Sequence, residues 1–130
     1  MTVLETSFLV DIFRNNPTAV ELLEELEKNE TVLQIAAPTI MELWLGACRS
    51  RNSEKEKEKI NELIKSFLIM PLDTAGAKEA AEIEAELFQE GQMIELEDIM
   101  IAGIARSRGE KVVTRDEHFA RIKGLKVWKY

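Results

Sequence analysis

Residues 96–116, Leu96-Glu97-Asp98-Ile99-Met100-Ile101-Ala102-Gly103-Ile104-Ala105-Arg106-Ser107-Arg108-Gly109-Glu110-Lys111-Val112-Val113-Thr114-Arg115-Asp116, decide how this chain is read. The first half is the most apolar helix of the sequence, with Asp98 in its first turn, where the positive end of the helix dipole favours a carboxylate. Its small residues let neighbouring elements approach closely, so it belongs near the domain centre. Lys111 to Thr114 follows as a strand, and Asp116 opens a short helix reaching Ile122. Working outward, the same alternation recurs. Thr2–Glu5, Thr31–Ile35, Phe67–Met70 and Leu125–Trp128 read as strands, the third of them buried. Helices are expected over Ser7–Phe13, from Pro17 to Asn29, from Pro38 through Leu45, over Ser53–Phe67, and from Asp73 or Thr74 to near Gly91. Strands alternating with helices imply an α/β fold with a parallel sheet covered on both faces, because parallel neighbours need crossover connections.

The chain has 130 residues, enough for one ordinary core but not two, so residues 1–130 are expected to form a single domain. Apolar residues make up 45% of it and there are only 3 Pro and 6 Gly, which argues against disorder. No stretch approaches the roughly 18 apolar residues of a membrane span. Met1-Thr2-Val3-Leu4-Glu5 lacks the basic-then-apolar order of a secretory signal, so a cytoplasmic protein is expected. Cys48 is the single cysteine and His118 the single histidine. A disulfide, a cysteine zinc cluster and two-histidine schemes are therefore excluded, and polar chemistry must rest on carboxylates, hydroxyls or Lys/Arg.

The net charge of −7 conceals a division. Residues 101–130 carry eight basic side chains against three acids, net +5, leaving the rest at −12. A basic face beside an acidic one is permitted, but charge alone does not establish a nucleic-acid partner. The alternating Glu and Lys of residues 53–59 read as a solvated helix face. Trp44, Trp128 and Cys48 read as packing residues, and His118 as a surface residue.

In an open parallel sheet, sites form beyond the carboxyl ends of the strands. Glu5 ends the first strand, Glu42 lies in the helix after the second, Asp98 opens the apolar helix, and Asp116 follows the strand ending at Thr114. Taken singly, each has a plain structural reading: exposure for Glu5 and Glu42, helix capping for Asp98 and Asp116. Taken together, Glu42, Asp98 and Asp116 sit within or beside apolar segments, where an unpaired charge is costly. Clustered carboxylates repel one another unless a cation intervenes, and hard divalent cations choose oxygen ligands, so Mg²⁺ or Mn²⁺ is expected. Such an ion activates water and stabilises charge on phosphoryl oxygens, which favours phosphodiester hydrolysis.

Glu5 followed by Thr6-Ser7, Thr39-Ile40-Met41-Glu42-Leu43, Glu97-Asp98-Ile99-Met100-Ile101-Ala102-Gly103-Ile104-Ala105 and Val113-Thr114-Arg115-Asp116-Glu117-His118-Phe119, in this order, resemble PIN-domain proteins. Within these the chain is most similar to VapC-type toxins. The resemblance spans essentially the whole chain. It implies a three-layer α/β/α sandwich with a central, mostly parallel sheet and an endoribonuclease dependent on Mg²⁺ or Mn²⁺. It further implies a homodimer with an RNA substrate and a cognate antitoxin that inhibits it. Glu5, Glu42, Asp98 and Asp116 would then hold the metal, with Thr114 completing the catalytic set by orienting Asp116 or a metal-bound water, and Thr6 and Ser7 supporting the first acid. One departure stands out, since the family usually has Asp where this chain has Glu5. A longer arm fits octahedral Mg²⁺ poorly. Two other readings compete: a PIN-like module that binds RNA or antitoxin with weakened catalysis, and a phosphoacceptor signalling domain using Asp73.

Overall fold

The computed structural model describes residues 1–29 and 31–130. Five parallel strands, β1 (Thr2–Leu4), β2 (Leu33–Ala36), β3 (Leu68–Met70), β4 (Lys111–Thr114) and β5 (Lys126–Lys129), form one sheet in the order β3-β2-β1-β4-β5. The crossovers are α1 (Thr6–Phe13) with α2 (Pro17–Lys28), α3 (Ala37–Cys48) with α4 (Ser53–Ile64), and α5 (Thr74–Gln89) with α6 (Leu96–Ser107). A 3-10 helix, Glu117–Arg121, joins β4 to β5.

Two apolar layers follow from the two-residue period of the strands. Val3, Ala36 and Val112 face α5, α6 and the 3-10 helix, packing with Ile83, Ile101 and Phe119. Their neighbours Leu4, Ile35 and Val113 point the other way, against Phe8, Leu22, Leu43 and Ile60 of α1 to α4. The result is the expected α/β/α sandwich. α5 and α6 meet most closely at Gly103, where a Cβ would lie 2.7 Å from the Ala80 Cβ and from the Gly76 carbonyl oxygen. The small residues of the apolar helix thus do what their size suggested.

Helix starts are set by local chemistry. The Asn16 side chain accepts from the Ala19 N–H at 3.1 Å with Pro17 behind it, and Asp73 accepts from the Gly76 N–H at 2.8 Å. Several expectations need correction. β3 is an edge strand and not a buried one: Leu68 and Ile69 are 59% and 41% exposed, and only Met70 enters the core. β2 starts at Leu33, where pairing with Thr2 begins, and α4 ends at Ile64. Cys48 is exposed. Trp44 and Trp128 pack at the edge of the α1–α4 layer, each with a lysine over its ring.

The basic C-terminal segment is met by the protein's own acids. Arg106 binds Glu79 and Glu86 of α5, Arg108 binds Asp73, Lys123 binds Glu90, and Lys129 binds Glu117. Charge asymmetry along the sequence therefore folds in large part into pairing, while Lys111 lies over Trp128 and Lys126 donates to the Gly109 carbonyl.

Candidate active site

The chain leaves β1 towards β2 and β3, then returns to the other side of β1 to form β4 and β5. At such a switch point the connections depart on opposite sides, and a crevice opens beyond the carboxyl ends of the two central strands. Glu5 follows β1 directly, and Thr114 ends β4 with Asp116 two residues further on. α3 and α6 bring Glu42 and Asp98 to the same place. All four acids line one cavity of about 320 Å³, together with Thr6, Ser7, Glu95 and Glu97.

Glu5 is only 3% exposed, which overturns the reading of a lone strand-end acid. Its carboxylate caps α1, accepting from the Ser7 N–H at 2.9 Å and the Ser7 hydroxyl at 2.7 Å. The Thr114 hydroxyl also donates to it. Thr114, wholly buried, in turn accepts the Asp116 N–H at 2.9 Å, so one hydroxyl ties the first acid to the last. Ser7 supports Glu5 as expected. Thr6 does not: its hydroxyl donates to Glu42 at 2.9 Å.

Asp98 is the electrostatic centre. Burial first, then repulsion from Glu5, Asp116, Glu42 and Glu97, pushes its carboxyl up to about 7. Glu42 is also raised, by burial first and by Glu5, Glu97 and Asp116, against the hydrogen bond from Thr6. Crowded carboxylates that resist ionising, in a cavity of oxygen donors, fit a hard divalent cation, whose charge removes the repulsion. Among the described residues Asp98, Asp116 and His118 form a group whose ligand atoms lie within 4.8 Å of one another. Glu5 and Glu42 line the same cavity outside that group.

One residue departs from its expected place. His118 is not a plain surface residue, since its Nδ1 lies 3.2 Å from Asp116 Oδ1. The Asp116-x-His118 spacing after a strand was the available signal. Asp11 lies outside the acid cavity and is buried, accepting from the Tyr130 hydroxyl at 2.7 Å and Arg115 Nε at 2.8 Å. Burial raises its carboxyl, but those two hydrogen bonds and the Arg115 charge outweigh it and leave the group lowered. Arg115 is thereby committed to Asp11, which argues against a free phosphate contact. Asp73, the acceptor a signalling domain would use, caps α5 and pairs with Arg108 at 3.2 Å.

A larger cavity of about 500 Å³ adjoins through Thr6 and Glu42, but is lined elsewhere by Val10, Phe13, Leu43, Ala47 and Ile60 among others. It offers an apolar wall where the smaller one offers a ligand set, so the chemistry belongs to the smaller.

A three-layer sheet with acids converging beyond β1 and β4 defines a class of protein, and the sequence model described as PIN domain matches residues 2–125. The chain belongs to the PIN-domain family. Within it the chain is 33% identical over 125 residues to the tRNA(fMet)-specific endonuclease VapC of Shigella flexneri, an alignment covering 95% of this chain and 93% of that one. Among solved structures it superposes on DNA-bound VapBC of Salmonella typhimurium with a TM-score of 0.90 at 31% identity, covering 98% of this chain and 96% of the other. VapBC2 of Rickettsia felis, bound to a promoter DNA fragment, gives a TM-score of 0.91 at 25% identity over 99% and 98%.

Proposed function

We propose that this single PIN-like domain is a metal-dependent endoribonuclease, the VapC-like toxin of a toxin-antitoxin pair, working in the cytoplasm as a homodimer. The convergence of Glu5, Glu42, Asp98 and Asp116 on one cavity at the sheet's switch point carries this reading. Its likeness to VapC endonucleases supports RNA as the substrate, and its likeness to the VapB-bound toxins supports an inhibiting antitoxin. Among the described residues no helix is long and apolar enough to cross a membrane.

Glu5, Glu42, Asp98 and Asp116 would hold Mg²⁺ or Mn²⁺, which when bound supplies an activated water and charge stabilisation for the phosphoryl oxygens. The chain's own work is to prepare that site. Ser7 and Thr114 hold the Glu5 carboxylate in one orientation through three donors. Thr114 fixes the backbone at Asp116, and Thr6 fixes Glu42. Fixed acceptors cost no reorganisation when charge develops in the transition state. An acidic cavity repels an RNA phosphate, so approach of substrate depends on the cation.

The test is cleavage of RNA by the purified protein with Mg²⁺ or Mn²⁺. The tRNA(fMet) named for the Shigella relative is the first substrate to assay. Cleavage is expected with either ion and none in excess EDTA; unchanged cleavage in EDTA would sink the mechanism. One observation favours the second reading, a binding module with weakened catalysis: Glu5 already accepts three hydrogen bonds from α1 and Thr114, which leaves about one acceptor site for a cation. Binding of tRNA without metal-dependent cleavage would select it.

A further inference from the structure

We infer that His118 supplies an imidazole nitrogen to the cation held by Asp98 and Asp116, making the site prefer Mn²⁺ to Mg²⁺. The inference rests on the proposed reading of the cavity as a cation site.

The His118 side chain is 43% exposed, yet its Nδ1 atom is buried, and although Asp116 Oδ1 is close enough, the contact is not aligned as a hydrogen bond and Nδ1 makes none among the described residues. A buried polar atom left unpaired is costly, and such atoms are rare unless a water or ion completes them. Nδ1 lies 3.2 Å from Asp116 Oδ1 and 4.0 Å from Asp98 Oδ2. Octahedral ligands at about 2.1 Å from an ion stand about 3.0 Å apart when adjacent and about 4.2 Å when opposite. Both distances from Nδ1 lie between these limits, and the three ligand atoms stand within 4.8 Å of one another.

The backbone fixes this arrangement. Asp116 Oδ1 accepts the His118 N–H at 2.9 Å, so the carboxylate that would bind the ion also sets the start of the 3-10 helix carrying the imidazole. Phe119, next in the helix, is fully buried in the core and prevents the helix from turning. Chemistry then separates the ions. Mg²⁺ takes oxygen ligands and gains little from an imidazole, whereas Mn²⁺, the weakest binder of the first-row divalent series, still belongs to the series that accepts nitrogen, so a nitrogen donor raises affinity for Mn²⁺ relative to Mg²⁺.

Pulsed electron paramagnetic resonance of the Mn²⁺-loaded full chain reads this directly. The wild type is expected to show ¹⁴N coupling from a coordinated imidazole. His118→Gln should lose it and weaken Mn²⁺ binding about tenfold in titration calorimetry, with Mg²⁺ affinity changed less than about threefold. His118→Asn, whose amide oxygen falls near the Nδ1 position, should lose the coupling but recover part of the Mn²⁺ affinity, which a folding defect would not. Stoichiometric Mn²⁺ binding that requires Asp98 but shows no ¹⁴N coupling overturns the His118 assignment and leaves the carboxylate site intact. Mn²⁺ binding unaffected by Asp98→Asn overturns both.

Discussion

Asp98 stands in its cavity against four other carboxylates, and its behaviour follows from that crowding. Without metal, the folded chain keeps the Asp98 proton up to pH about 7, whereas an unfolded chain releases it near about 3.9. Between those values the folded state binds more protons. Stability from this group is therefore fully present below about pH 4 and is lost as pH rises towards 7. A cation must displace the same proton, so Mn²⁺ affinity should rise up to about tenfold per pH unit below 7 and level off above it, as calorimetry at pH 5.5, 6.5 and 7.5 would record. Asp98→Asn removes the repulsion with little change of shape. At pH 8 without metal it should raise the melting temperature by roughly 3–6 °C, equivalent to about 1 kcal/mol. The same variant should abolish RNA cleavage, and cleavage at the wild-type rate would exclude Asp98 from the centre. Glu5 makes a different case, because its carboxylate also caps α1. Glu5→Asp retains a capping carboxylate and should leave Mg²⁺-dependent cleavage equal or faster. Glu5→Gln puts an amide donor against hydroxyls that already donate, costing about 1–3 kcal/mol and lowering cleavage. Denaturant melts beside rate measurements would separate the two effects.

At the scale of elements, the site depends on how closely α5 and α6 pack, since α6 carries Asp98 into the cavity. Gly103 permits that approach, and the nearest atoms to an added Cβ are backbone and a short side chain that cannot swing away. Gly103→Ala should therefore destabilise by about 1–3 kcal/mol and move α6 outward. Thermal melts should show the loss, and Mn²⁺ titration should show weaker binding in the fraction that stays folded. A melting temperature equal to wild type would mean that the two helices adjust freely. Helices and their caps were largely legible from sequence: Pro17, Asn29, Asp73 and the apolar run after Asp98 fall where local chemistry put them. The status of β3 was not, because burial of a short apolar strand is settled by whether another strand lies beyond it.

For the whole molecule, apolar surface left outside the core bears on assembly. In α1, Phe8 and Leu9 are consumed in the core while Val10, Ile12 and Phe13 are only partly buried. Met41 and Leu45 of α3 remain exposed, four residues apart on one helix face. A homodimer using this face is the expected outcome, since closed two-fold symmetry covers a patch with its own copy. Sedimentation at micromolar concentration should give a dimer for the wild type and a monomer for Met41→Glu with Leu45→Glu. A wild-type monomer would count against the face.

The sequence by itself determined the alternation of strands and helices, the sheet that this requires, and the candidate acids, three at element ends and Glu42 within a helix, because period, capping and turn chemistry act over a few residues. Tertiary structure alone decided which acids share oxygens with which hydroxyls. Thr6 serves Glu42 across 36 positions, and Thr114 reaches Glu5 across 109. Only the folded chain withdrew Arg115 to Asp11, paired Arg106 with Glu79 and Glu86 of α5, and brought the buried nitrogen of His118 towards Asp98. These are distances between elements remote in sequence, set by the switch in strand order between β1 and β4, and no local pattern encodes them.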